Sequence, residues 1–542
     1  MTRYGPRRGS ACDLGRIGES RAGSRGSASR LAALRVARRR TDSDFAPAPC
    51  RIGRGDPLPD RREIHQYDLG RIRWYVAVLT VVVLVVGGGI AAYALGGFDR
   101  WLDDSDASAL DVEPPEELDF PAARTPQPVL DDATPGQLDR RAVEASVRAV
   151  FKDRTFGKHT GVAVAPLEQG KPVTIGSGSY MPASTLKNFT SLAALDSLGR
   201  DARFTTSVVR AQGAGRTARL TLVGGGDPLL ATKPPKDSDD VYPQPATLAD
   251  LADQTAKALK QDGVKQAEVS FDDSLFKGPD VNPRWEDSYI TTDVTTPVSA
   301  LWADEGVTDV DTGERTTQPA KQATEAFVDL LAKRGVSVKG AVSRKKAPAD
   351  SADIASVDSP PLGQIVQHTL ALSDNSAADV IQRQLAIGEG EPASFEGGAR
   401  AMQSVLKSLG VPWQGIQVYD GSGLSRDNAV TLRAELAVLK LAATSRDSDL
   451  RPVASGLPVA GFSGSLADRF TSPTSYAGLG VARAKTGTLT GTHAYAGLTT
   501  DKQGTPLAFV AIANDVKDKF VLDARAGLDD IAAALTSCAC TR

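Results

Sequence analysis

Pro182-Ala183-Ser184-Thr185-Leu186-Lys187-Asn188-Phe189-Thr190-Ser191-Leu192-Ala193-Ala194-Leu195 decides how this chain is read. Pro182-Ala183 breaks the preceding segment, and Leu186, Phe189, Leu192 and Leu195 then mark a helical apolar stripe ending near Gly199. Ser184 therefore opens a helix, and Lys187 projects from the same face one turn later. Free backbone N–H groups and the positive end of the helix dipole favour a developing oxyanion there. A serine hydroxyl needs a base beside it, and a solvated lysine, with a pKa of about 10.4, is protonated at neutral pH. Lys187 must be perturbed by burial or by a second cation, for which Lys485 is the candidate. The local residues leave two readings open, a nucleophile or a helix cap.

Ser-x-x-Lys alone carries little weight, since residue frequencies produce it roughly once in a few hundred positions. Ser274-Leu275-Phe276-Lys277, Ser343-Arg344-Lys345-Lys346 and Ser404-Val405-Leu406-Lys407 match it too. Ser404 lies in an amphipathic run and reads as a helix-surface serine, whereas Ser274 and Ser343 follow strand-like stretches and read as loop residues. Two further strings single out Ser184. Ser373-Asp374-Asn375 falls between two helical patterns and reads as a loop. Lys485-Thr486-Gly487-Thr488 precedes Tyr495 to Leu498, a turn at Asp501 to Gly504 and a buried strand from Leu507 to Ala513, which predicts antiparallel strands lining a cleft. A strand-borne lysine with two threonine hydroxyls suits a substrate carboxylate, and Gly487 lets a ligand backbone come close.

With these strings the chain resembles the low-molecular-mass class C penicillin-binding proteins, D-alanyl-D-alanine carboxypeptidases that also act as endopeptidases. The resemblance runs from about residue 137 to the C-terminus and includes Phe204-Thr205-Thr206, Gly226-Asp227-Pro228, Pro283, Trp285, Asp379 in place of the usual Glu, and Asp420-Gly421-Ser422-Gly423-Leu424-Ser425. It implies a mixed α/β (α+β) chain with the serine β-lactamase/DD-peptidase (transpeptidase-like) fold. Ser184 would be the nucleophile and Lys187 its base. Ser373 would relay a proton, Asn375 would orient substrate amide and lysine, and Lys485, Thr486, Gly487 and Thr488 would bind substrate. The oxyanion hole would come from the backbone N–H groups of Ser184 and Thr488. The implied partners are peptidoglycan stem peptides and cross-links, with β-lactams as covalent inhibitors. The spacing from Ser184 to Ser373 is shorter than usual in the family and implies one inserted domain where two are common. A serine β-lactamase and a non-catalytic penicillin-binding or wall-sensing protein are the alternatives. Against the first, Val405 to Asn428 contains no Glu, and Ser373 stands where another serine β-lactamase class has Tyr.

The expected organisation is a catalytic domain over 135–200 and 356–542 interrupted by an insertion over 201–355. Leu248 to Leu259 followed by Gly263 and Val264 to Phe271, then Ala323 to Leu331 followed by Gly335 and Val336 to Val342, predict two helix-Gly-strand units, a small α/β domain. Arg344-Lys345-Lys346 is too short a basic cluster for nucleic acid, and none is expected as a partner.

The net charge of −3 hides a split: residues 1–73 carry 17 Arg against 8 acidic residues. Positions 74–98 are 25 uncharged residues, enough to cross a bilayer, and the Arg-rich side should stay cytoplasmic. The reading is a disordered tail over 1–73, a single transmembrane anchor over 74–98, an acidic proline-containing linker over 99–134 and an extracytoplasmic enzyme. Cleavage near Ala94 and secretion is the alternative. His65, His159, His368 and His493 lack ligand spacing, so neither metal nor cofactor is expected, and His493 reads as a structural strand residue. Cys538 and Cys540 lie where oxidation is possible, but a bridge across one residue is not assumed.

Overall fold

The computed structural model describes residues 137–213, 216–235 and 241–542. The expected tail, the apolar run 74–98 and the linker lie outside them. Among the described residues, no helix is long and apolar enough to cross a membrane.

Helix α1 (Arg140–Asp153) starts where the Asp139 carboxylate accepts from the N–H groups of Arg141 and Ala142, a side-chain N-cap. Strands β1 (His159–Pro166) and β2 (Val173–Ile175) follow. Helix α2 (Lys187–Leu198) continues a short 3-10 turn over Ala183–Leu186 and stops at Gly199, whose φ of +80° only glycine adopts freely. The sequence predicts one apolar stripe, yet Asn188, Thr190 and Ser191 are as buried as Phe189 and Leu192. The nucleophile helix is enclosed on all sides.

The inserted sheet contains β3 (Thr205–Arg210), β4 (Thr217–Val223), β5 (Gln266–Asp272), β6 (Ser337–Val338), β7 (Ser343–Arg344) and β8 (Ala352–Asp358). Its order is β7-β5-β4-β3-β8, with β6 also on β5. Helices α3 (Leu248–Gln261) and α4 (Pro319–Lys333) cover it, packing Leu251, Leu259, Phe327 and Leu331 against Leu220, Leu222 and Val269. Both helix-Gly-strand units are present, with two corrections. The strand expected over Val336 to Val342 is broken, because Gly340 takes φ +76° and separates β6 from β7. Ser343 is therefore a strand residue, not a loop residue. The expected boundary at 355/356 also cuts through β8, which pairs with β3 from Ala352↔Arg210 to Asp358↔Thr205.

The chain then returns through α5 (Leu362–Leu372), α6 (Asn375–Gly388), α7 (Phe395–Ser408) and α8 (Leu432–Thr444) to β9 (Arg483–Leu489), β10 (Thr492–Thr500), β11 (Pro506–Asn514) and α9 (Val521–Ser537). The antiparallel sheet has the order β9-β10-β11-β1-β2. Strand alternation splits its side chains between two cores. Ala163, Val510 and Ile512 face α2 and α5 to α8. Val162, Val164 and Phe509 face Val147 of α1 and Ile531 of α9. This double burial explains why β11 reads as a continuous apolar run.

Part of the expected insertion belongs elsewhere. Trp285, Tyr289, Val298 and Trp302 leave the inserted sheet and pack on Val380, Phe395 and Leu424 of the catalytic helices and loop. Buried Arg383 fixes this return by donating to the carbonyls of Lys277 and Pro279 at 2.7 and 2.6 Å. Cys538 and Cys540, just beyond α9, are joined by a disulfide with Cα atoms 5.0 Å apart, inside the range a bridge needs.

Candidate active site

Ala183 has φ +48°, a conformation that a residue with a Cβ adopts only where its surroundings impose it, and this turns Ser184 into the cleft at the mouth of the buried helix. Two close approaches hold the turn. A Cβ on Gly423 (φ +85°) would lie 2.0 Å from the Ala183 carbonyl oxygen, and one on Gly487 would lie 2.5 Å from that of Pro182. Behind the turn, Thr185 donates to the buried Glu435 carboxyl at 2.6 Å. Burial pushes Glu435 up to about 8, with Thr185 pulling it back.

Lys187 is completely buried. Its Nζ lies 2.9 Å from Ser184 Oγ, 2.8 Å from Asn375 Oδ1 and 2.7 Å from the Ser422 carbonyl oxygen, three acceptors for three donor positions. Burial lowers its pKa to about 8 against the opposing pull of Asp379, Asp374 and Asp420. Burial is the larger cause for Lys187, and the second cation expected in Lys485 is beside it: the two like charges oppose each other, and Lys485 is held well below its ordinary value by burial and then by Lys187.

Ser373 ends α5 with φ +62°, and Asp374 caps α6 by accepting from Ala377 N at 2.9 Å. These two devices turn the chain sharply enough to aim Asn375 at Lys187. The Asn375 amide also donates to the Val294 carbonyl at 3.1 Å, so the returning segment of the insertion frames the site. The Ser373 hydroxyl has no hydrogen-bond partner among the described residues.

Lys485, Thr486, Gly487 and Thr488 lie on β9, the edge strand. Lys485 is buried and donates to the Thr486 carbonyl at 2.9 Å, and Thr488 is exposed. Thr486 donates to Ser465 Oγ at 2.9 Å. His493 is buried on β10, both ring nitrogens unpartnered among the described residues, and burial with Arg525 and Arg469 lowers it to about 4.

Sequence reading quoted Asp420 and Ser422 only as landmarks of the resemblance, without a role, and missed Ser465. The Asp420 carboxylate accepts from Trp285 Nε1, Gly423 N, Ser425 N and Asn428 Nδ2 at 2.6 to 2.9 Å, which shapes the loop that presents the Ser422 carbonyl to Lys187. Asp379 accepts from the N–H groups of Gly421 and Ser422 at 2.7 and 3.2 Å. The motif Asp420 to Ser425 was the available signal.

Residues 143–316 and 311–535 match the sequence profile of the D-Ala-D-Ala carboxypeptidase 3 (S13) family. The chain belongs to the S13 peptidase family. This S13 member is 35% identical over 474 residues to "Carboxypeptidase DacB" of Mycolicibacterium smegmatis, covering 86% of this chain and 96% of that one. It is 28% identical to the "D-alanyl-D-alanine carboxypeptidase" of Actinomadura sp., over 71% of this chain and 83% of the other. Among solved structures, penicillin binding protein 4 (dacB) from Haemophilus influenzae shares the fold, with a TM-score of 0.59 at 24% identity over 72% of this chain and 98% of that one.

Proposed function

We infer that the chain is a serine-type D-Ala-D-Ala carboxypeptidase working through an acyl-enzyme on Ser184. The observation that carries this reading is the buried Lys187 ammonium 2.9 Å from Ser184 Oγ. Neutral Lys187 takes the hydroxyl proton as Ser184 Oγ attacks the carbonyl of the D-Ala-D-Ala bond. The N–H groups of Ser184 and Thr488 receive the oxyanion, and Ser373, its hydroxyl free of partners among the described residues, passes the proton to the departing D-Ala amine. Asn375 holds Lys187 in place. The terminal carboxylate meets Lys485, Thr486 and Thr488, and its negative charge restores the proton that burial takes from Lys485. Water then releases the acyl group. Attack on a cross-link in place of a stem terminus makes the same steps an endopeptidase reaction.

The proposal extends to location: a single-pass membrane protein with its catalytic part outside, supported by the Arg-rich segment ahead of 25 uncharged residues.

The test is mass spectrometry of the protein after incubation with penicillin, alongside D-Ala release from a stem peptide. A β-lactamase needs a group that activates water over the ester. Here Asp420 is spent on four donors, and Asp379 is buried against two N–H groups. The penicilloyl adduct is expected to last minutes or longer and to block D-Ala release. Rapid multiple turnover of penicillin would overturn the peptidase reading.

The carboxylate clamp predicts a second result. Lys485→Ala should lose roughly 2 to 4 kcal/mol of transition-state stabilisation in kcat/KM. A substrate amidated at its C-terminus should be equally poor with the wild-type protein. Indifference to amidation would remove Lys485 from this role.

A further inference from the structure

Beside the second string, three groups from separate segments converge. Carboxylate oxygens of Glu305 and Asp374 and a ring nitrogen of His368 all lie within 4.8 Å of one another. We propose that Glu305, His368 and Asp374 bind a divalent transition-metal ion of zinc-like preference.

Each member is held in place from elsewhere. His368 stands on α5, five residues before Ser373. Asp374 is anchored as the α6 N-cap through Oδ1, while its Oδ2 is buried and its carboxyl meets that of Glu305. Glu305 sits in a turn with φ +54°, and its carbonyl is fixed by Thr296 Oγ1 at 2.6 Å and Arg315 Nη1 at 2.9 Å. The one cation paired with the cluster, Arg315, reaches Glu305 Oε2 at 3.4 Å. Two carboxyl groups and an imidazole thus face each other, with Arg315 paired to Glu305 and Lys187 near enough to act on Asp374.

The donor set selects the ion. Imidazole disfavours calcium and magnesium, which take oxygen ligands, and suits zinc together with carboxylate oxygens. Zinc bonds of about 2.0 to 2.2 Å bring tetrahedral ligand atoms to roughly 3.4 Å apart, so side-chain rotations of about 1 Å close the site. Water completes the coordination. The absence of ligand spacing noted in the sequence has a plain reason: Glu305 arrives from the inserted region, far along the chain from the other two. An ion on Asp374 restrains the residue between Ser373 and Asn375, so occupancy acts on the geometry of the second string.

The test is calorimetric titration of the full-length protein in detergent, stripped with a chelator, using Zn2+ alone and Ca2+ alone. One equivalent of zinc should bind with a Kd on the order of micromolar, and calcium at least about tenfold more weakly. His368→Ala and Glu305→Gln should each weaken zinc binding by about tenfold or more. Penicillin labelling of both variants reports that they are folded, and if one fails to label, the other carries the test. No saturable zinc binding up to about 1 mM overturns the proposal. So does undiminished binding in a labelled variant, which would assign the zinc to groups outside this cluster.

Discussion

Ser184→Ala is expected to abolish covalent labelling by penicillin, whereas Ser274→Ala, Ser343→Ala and Ser404→Ala label like the wild type. The four Ser-x-x-Lys strings separate on what each lysine touches. Lys277 donates to the Ser274 carbonyl, not to its hydroxyl. Ser343 is committed to strand β7, and Ser404 is exposed on α7. Only Ser184, among these four, has a lysine Nζ at its Oγ in a buried setting. The readout is mass or fluorescence labelling of the four purified variants. A labelled Ser184→Ala protein would move the nucleophile elsewhere.

The second large effect belongs to Lys187→Met, a substitution that keeps the buried volume and removes the base. The rate constant of acylation should fall by about 10² to 10⁴. The wild-type rate should also carry a pH signature. Lys187 must be neutral to accept the proton, and its pKa is lowered to about 8. Acylation of the free enzyme should therefore rise with pH up to and through about 8, and the Met variant should lose that rise. Thermal unfolding separates chemistry from folding, because the Ser422 carbonyl and Asn375 Oδ1 each lose a donor in the variant. A Met variant acylated at the wild-type rate with an unchanged pH profile would exclude Lys187 as the base.

The three strings were legible because strong local signals surround each one. Pro182 opens the turn before Ser184, apolar helices bracket Ser373, and the nearly continuous apolar burial of β10 and β11 stands behind Lys485. The antiparallel strands beside Lys485 followed from the same patterns, whereas the fold as a whole was what the family resemblance implied. What stayed hidden consists of groups with no side-chain signature. The Ser422 carbonyl is a backbone atom, placed by an Asp420 network whose donors span residues 285 to 428. The return of Trp285 to Trp302 onto the catalytic helices was masked because those apolar residues lie between two clear α/β units. The disulfide was set aside on sequence separation alone, whereas the two Cα atoms stand 5.0 Å apart, within reach of a bridge.

The pairing of β1 with β11 joins His159 to Asn514, and Lys187 reaches an acceptor 235 residues further on in Ser422. Closing contacts of that range costs chain entropy before any of them is rewarded, so they form late. A growing chain has the serine and the lysine in hand but lacks the Ser422 carbonyl, the edge strand with Lys485 and the central strand that seats β1. Such a chain is chemically inert toward peptide and β-lactam alike. Capture of penicillin therefore dates the moment at which the last third of the polypeptide has docked, and pulse labelling can time the maturation of the enzyme in the cell that makes it.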